Sequence, residues 1–119
     1  MEKKRRHNYK NLKIWNLGIE IVDDVFEIIS QFPTEEKFGL SYQLSRCSIS
    51  IPSNIAEGSS RTDKSFSHFI DIALGSSFEL ETQLIIATKR NYISKEQLNN
   101  LEGKIAEFQK MTMSFQNKL

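Results

Sequence analysis

The chain has few of the residues that break helices or cross-link a fold: among 119 residues there are one cysteine, two prolines and five glycines. A single cysteine cannot form an internal disulfide, which excludes a disulfide-stapled scaffold and fits a reducing compartment. No apolar run approaches the roughly 20 residues that cross a bilayer, and no apolar segment follows the charged N-terminus. We therefore expect a soluble, cytoplasmic protein without signal peptide or membrane helix.

Motifs that carry catalysis or hold metal are also missing from the sequence. A di-iron four-helix bundle requires Glu-x-x-His on two helices, but Lys4 and Ser65 precede His7 and His68 by three residues. Cys-x-x-Cys, Walker, Rossmann and Gly-x-Ser-x-Gly motifs are absent. We expect no enzymatic activity, no metal site and no cofactor.

The net charge of +1 conceals an uneven distribution of charge. Residues 1–13 hold six basic side chains against Glu2 alone, while the remaining chain holds ten basic against fourteen acidic. A basic leader on a mildly acidic body differs from a uniformly basic nucleic-acid-binding domain. We expect a basic arm at residues 1–9 and a single domain at residues 10–119.

Apolar residues recur at steps of three and four along nearly the whole domain, which predicts helices. The first begins near residue 10, and the second runs from an N-cap at Thr34 to about residue 59. The third follows a cap at Ser60 or Thr62 and ends near residue 91, and Ser94 with Gln97 forms a capping box for the fourth. Similar lengths and short connections predict an all-α, antiparallel up-down-up-down four-helix bundle.

Pro52 lies in the middle of the second helix and cannot donate to the carbonyl of Ser48, so we expect this helix to be kinked there. Short polar side chains near the kink can bond freed backbone groups, and Gly58 is placed to end the helix. A kinked core helix is one interpretation of residues 45–61, and a ligand site at the kink is the alternative.

The first helix carries two adjacent apolar rows that together cover roughly 200° of its surface. This is more than one bundle interior requires, so we expect one row to contact another subunit. The predicted oligomer interface consists of Ile14, Leu17, Ile21, Val25 and Ile28.

Polar residues also lie beside the apolar stripes of the second and third helices: Arg46, Asn54, Glu57, Glu79 and Glu81. In antiparallel helices Arg46 would lie near Glu79 or Glu81, which predicts a structural ion pair or a bridge between subunits. A site for a small ligand is the alternative.

Several sequence segments together resemble the 23S rRNA-intervening-sequence protein family, also called the S23 or four-helix-bundle family. The similarity spans nearly all of residues 10–93. It is carried by Leu12, Ile14-Trp15, Phe32-Pro33, Glu36, Phe38-Gly39-Leu40, residues 43–46 (Gln-Leu-Ser-Arg), residues 50–58 (Ser-Ile-Pro-Ser-Asn-Ile-Ala-Glu-Gly), Arg61, Phe69, Ile72-Ala73, Gly75-Ser76 and residues 79–82 (Glu-Leu-Glu-Thr).

The resemblance implies a four-helix bundle assembled into a ring-like homopentamer. A related protein, the accessory variability protein of diversity-generating retroelements, uses a basic surface to bind nucleic acid and reverse transcriptase. RNA, DNA and a reverse transcriptase or other protein are therefore the partners that the resemblance implies. The acidic body of this chain departs from that relative.

An up-down-up-down bundle would gather basic residues at one end, where the first and third helices start and the second and fourth end. This end is the predicted nucleic-acid interface, with Tyr9 available to stack on a base, and Lys118 adds to its charge. The other predicted contacts are Lys3, Lys4, Arg5, Arg6, Lys10, Lys13, Arg61 and Lys64. The sequence thus predicts a non-catalytic nucleic-acid-binding accessory protein, and the alternative is a structural or protein-interaction oligomer.

Overall fold

The structure is a computed structural model that describes residues 7–119. Over this range the chain forms four long helices and no strand: α1 (Lys13–Ile29), α2 (Leu40–Ser59), α3 (Asp63–Lys89) and α4 (Lys95–Asn117). Short 3₁₀ helices at Tyr9–Asn11 and Thr34–Glu36 precede α1 and α2. The molecule measures 54 × 25 × 20 Å. The predicted all-α class with four helices is confirmed.

One apolar core lies between the helices, because α1 packs on α2 and α4 while α3 packs on the same two helices. Its fully buried large side chains come from every helix and follow the predicted spacing: Ile21, Val25, Leu44, Ile51, Ile55, Phe66, Ile70, Leu80, Leu84, Leu101, Ile105 and Phe108. None of the helices in residues 7–119 combines the length and hydropathy needed to cross a membrane.

Hydrogen bonds at the two ends show which helix termini meet. At one end the His7 amide donates to Ser59 O at 3.2 Å, and Gln116 Nε2 donates to Ser67 O at 3.0 Å. At the other end Gln97 Nε2 donates to Gln31 Oε1 at 3.3 Å. These contacts join residue 7 to the end of α2, the end of α4 to the start of α3, and the start of α4 to the residues that follow α1.

Two of the predicted helix starts are confirmed and one is wrong. The Thr62 side chain accepts from the Ser65 amide, and Ser94 and Gln97 form the reciprocal capping box. Thr34, in contrast, opens only a 3₁₀ turn, and α2 begins six residues later at Leu40. Here the cap comes from the preceding turn, since Glu36 Oε1 accepts from the Leu40 amide at 3.0 Å.

The second helix passes through Pro52, which is buried, and ends at Ser59. Asn54 Nδ2 donates to Ser50 O at 2.8 Å, as expected of a short polar side chain near this position. The expected bend stays a prediction. The role assigned to Gly58 is wrong, because this glycine lies inside the helix, where an added Cβ would come within 2.7 Å of Phe69 Cβ. Its missing side chain lets α3 approach α2 closely.

The two apolar rows of α1 are distributed opposite to the prediction. The row assigned to a subunit contact is buried inside the chain: Ile14, Leu17, Ile21, Val25 and Ile28. The other row remains accessible, with Trp15, Ile19 and Val22 half-buried and Phe26 46% exposed. Gly18 belongs to the buried row, where an added Cβ would lie 3.4 Å from Pro52 Cβ, an ordinary van der Waals contact.

Candidate nucleic-acid interface

The structure describes four of the eight residues that we predicted to contact nucleic acid. Lys3, Lys4, Arg5 and Arg6 lie outside the described residues. The remaining four are exposed at the end of the molecule where α1 and α3 begin: Lys10, Lys13, Arg61 and Lys64.

A groove of about 450 Å³ lies between the start of α1 and the end of α4, and we call it the lysine groove. Three lysines line it, and none of its described lining residues is acidic. Its lining consists of Asn11, Leu12, Lys13, Ile14, Lys110, Met111, Ser114, Phe115 and Lys118. The groove is therefore a local concentration of positive charge on a chain whose body is acidic.

Local hydrogen bonds hold the α1 side of the lysine groove in place. Asn8 Oδ1 accepts from the Lys10 amide at 3.3 Å and caps the first 3₁₀ turn. Asn16 Nδ2 then donates to Lys10 O at 3.0 Å and to Leu12 O at 2.9 Å. No side chain among residues 7–119 caps α1 at Leu12, so the positive end of its dipole adds to the lysine charges.

Aromatic contacts hold the α4 side of the groove. The Phe115 ring lies 5.5 Å from Phe66 and 5.8 Å from His7, measured between centroids, in edge-to-face arrangements. His7 Nε2 also lies 3.8 Å from Asp63 Oδ1. The residue that follows the basic segment 3–6 is thus docked next to the lysine groove.

Arg61 and Tyr9 have other partners in the structure. Arg61 pairs with Glu57 Oε2 at 3.4 Å and lies over the Phe69 ring at 5.3 Å, on the α2–α3 side of the molecule. Tyr9 packs edge-on against Trp15, with ring centroids 5.2 Å apart. Neither residue lines the lysine groove.

Lys110 was missed by the sequence reasoning, although it lines the groove with Lys13 and Lys118. The sequence did contain a signal, because Lys110, Ser114 and Lys118 follow one another at steps of four. This spacing places them on one face of α4.

The predicted ion pair between Arg46 and Glu79 or Glu81 does not form within residues 7–119, and the bridge between subunits stays a prediction. Arg46 Nη1 instead donates to Tyr42 Oη at 2.9 Å, one turn earlier in α2. The α2 residue that contacts Glu79 is Cys47, whose Sγ lies 3.2 Å from Glu79 Oε1. The sequence could not show this, because the rotation of α2 turns Cys47 rather than Arg46 toward α3.

The Cys47 thiol and the Glu81 carboxyl group have shifted pKa values. Burial, followed by the nearby Glu79 carboxylate, raises the pKa of the Cys47 thiol to about 12. Burial and a hydrogen bond with Glu102 raise the pKa of Glu81. Glu81 thus faces a carboxyl group of α4 instead of a cation of α2.

A second feature is an apolar surface where α1 and α2 meet, which we call the α1–α2 face. It consists of Trp15, Ile19, Val22, Phe26, Tyr42 and Ile49. Two apolar depressions lie on it, one of about 280 Å³ beside Trp15 and one of about 550 Å³ beside Phe26 and Tyr42. Phe26, Tyr42 and Ile49 are the exposed members of this face.

Comparisons with known proteins agree with the helical architecture. Residues 10–114 match the family described as 23S rRNA-intervening sequence protein. A solved structure of a protein of unknown function from the S23 ribosomal protein family of Bacteroides thetaiotaomicron superimposes with a TM-score of 0.76. It is 22% identical, and the alignment covers 87% of this chain and 97% of that one, a likeness that extends to the fold. No curated protein matches the sequence.

Proposed function

This chain belongs to the 23S rRNA-intervening sequence protein family, and we propose that it is a non-catalytic, homo-oligomeric accessory protein that binds RNA or DNA at the end that carries the lysine groove. The family description refers to an intervening sequence of ribosomal RNA, which makes RNA a natural partner. The free, buried Cys47 fits a reducing compartment, so we assign the protein to the cytoplasm.

The lysine groove is the observation that carries the proposal. Lys13, Lys110 and Lys118 converge on it, the described residues that line it include no carboxylate, and α1 contributes the positive end of its dipole. His7, whose amide donates to Ser59 O at this end, directly follows the four basic residues at positions 3–6 in the sequence. Phosphate groups bind such clusters through charge, without base-specific contacts.

The α1–α2 face supports the proposed self-association. Trp15, Ile19, Val22 and Phe26 form its α1 side, and their apolar area is accessible in the single chain. We take the subunit to be an antiparallel bundle and the assembly to be a closed ring, with five subunits as the resemblance implies. A ring repeats the lysine groove around one rim, so weak phosphate contacts add through avidity.

The alternative function is a structural or protein-interaction oligomer that binds no nucleic acid. The same α1–α2 face favours it, since this apolar surface could serve association alone. The Glu57–Arg61 pair also favours it, because the Glu57 carboxylate offsets the charge of Arg61, one of the residues predicted to contact nucleic acid.

Titration of a fluorescein-labelled oligonucleotide over a salt series tests the proposal. We expect affinity to fall steeply with salt, and Lys13→Gln with Lys118→Gln to reduce the slope of log K against log salt by about one per lost phosphate contact. Lys89→Gln with Lys95→Gln is the matched control, because these lysines lie at the end of α3 and the start of α4, at the opposite end. No binding at low salt would leave the structural oligomer as the function.

A further inference from the structure

We propose that the lysine groove seats one unpaired nucleobase, so that the preferred ligand of this protein is single-stranded nucleic acid. This inference rests on the proposed function and specifies its ligand. The groove combines an apolar floor with a charged rim, which is the combination that a base and its flanking phosphates require.

The floor of the groove is apolar and accessible. Leu12, Met111 and Phe115 line it and remain only half-buried, while Ile14 closes it from the core side. The flat face of a base can cover these side chains, and removing them from water is favourable. Phosphate binding by lysines needs no such floor, so charge alone does not account for the shape of the site.

The two sides of the floor differ in stiffness. The Phe115 ring is fixed by its contacts with Phe66 and His7 and gives a base a rigid surface. Met111 has a flexible thioether side chain that adapts to purines and pyrimidines alike. We therefore expect base binding with little base preference.

The rim places positive charge along the path of the backbone. Lys13 lies on the α1 side, and Lys110 and Lys118 lie two turns apart on the α4 side. A duplex meets this rim with its bases paired and stacked inside, and cannot use the floor. A single strand can turn one base out into the groove while its phosphates contact the rim.

Comparing the affinities of three ligands of equal length separates the contribution of the bases from that of the phosphate backbone. These are a twelve-residue oligothymidylate, an abasic oligonucleotide with the same phosphates and a duplex of the same sequence length. We expect the oligothymidylate to bind about 10-fold or more tighter than the abasic strand at equal salt, which is a typical effect of stacking one base. The abasic strand and the duplex should both show the strong salt dependence of phosphate contacts.

Variants then locate the base in the groove. Ser114→Leu fills the floor without changing charge, and Ser114 is an exposed helical position that tolerates leucine. We expect it to lower oligothymidylate affinity about 10-fold and to leave the abasic strand unchanged. Met113→Leu is the matched control, because Met113 is exposed next to Ser114 but outside the groove lining.

The outcomes distinguish this inference from the proposed function. If all three ligands bind equally and Ser114→Leu does not change oligothymidylate affinity, the base seat is overturned. Phosphate binding by the lysines then remains intact. Absence of binding to every ligand overturns both. Displacement of the oligothymidylate by an acidic amphipathic peptide at lower concentration would assign the groove to a protein segment and overturn the inference.

Discussion

The Tyr92 hydroxyl donates a 2.9 Å hydrogen bond to Glu36 Oε2, and the other oxygen of the same carboxylate caps the Leu40 amide at 3.0 Å. One side chain thus joins the start of α2 to the residues that follow α3. The Leu40 amide, followed by the Tyr92 hydroxyl, lowers the pKa of Glu36 below its ordinary value of 4.5.

Tyr92→Phe should lower the free energy of unfolding at neutral pH, because it removes a donor from the charged carboxylate. The folded-state pKa of Glu36 is lowered, so this stabilisation is complete above pH 4.5 and is lost as pH falls through the lowered value. Urea unfolding of wild type and variant at pH 7 and in acid should show the difference shrinking in acid. An equal difference at both pH values would contradict the role of the carboxylate.

Gly58→Ala should destabilise the protein by about 1–3 kcal/mol through overpacking. The new methyl group would lie 2.7 Å from Phe69 Cβ and 2.8 Å from Phe66 Cδ1, so α3 would have to move. Gly75→Ala is the control, since no atom lies within 4 Å of its added Cβ and alanine favours the helix by up to about 1 kcal/mol. Urea midpoints that shift equally for both variants would rule out the close contact.

Spacing of apolar residues was enough to predict the four helices, and capping motifs predicted the starts of α3 and α4. It could not set the rotation of a helix with two apolar faces, and therefore α1 buries the row that includes Ile21 instead of the row that includes Val22. The same limit applies to α2, where Cys47 faces Glu79 and Arg46 does not. Lys110 was missed because its importance depends on its distance from Lys13 across two helices that are far apart in sequence.

Cys47 should react slowly with iodoacetamide in the folded protein. The thiol is 6% exposed, and its pKa is raised to about 12, so at pH 8 the thiolate fraction is about 0.01% compared with roughly 10% for a thiol at its ordinary value of 9.0. Mass spectrometry should show labelling at least about 100-fold slower in buffer than in urea. Glu79→Gln should leave most of this protection, because burial is its largest cause. Rapid native labelling would refute the buried position.

Lysine at both Val22 and Phe26 should dissociate the proposed oligomer and preserve the helical circular dichroism. Both side chains lie on the accessible row of α1, and Phe26 is 46% exposed. Lysine at Ile21 is the comparison, since that position is 0% exposed and an unpaired charge there costs about 3–5 kcal/mol and should unfold the chain. Sedimentation equilibrium measures the mass of each protein. A wild-type monomer at micromolar concentration would contradict self-association through this face.

The close packing of α2 on α3 also bears on the order in which the chain folds. Only three residues separate Ser59 from Asp63, and Ser50 Oγ meets Ser76 Oγ at 2.9 Å across the pair. Contacts so local close short loops and favour early formation, so we expect this helical hairpin to form the nucleus of the transition state. Ala73→Gly in α3 should therefore slow refolding, whereas Ile105→Val in α4 should mainly speed unfolding, as stopped-flow kinetics can measure. The α2–α3 hairpin would then form before α1 and α4 pack together. The lysine groove, which lies between α1 and α4, would be the last part of the chain to form.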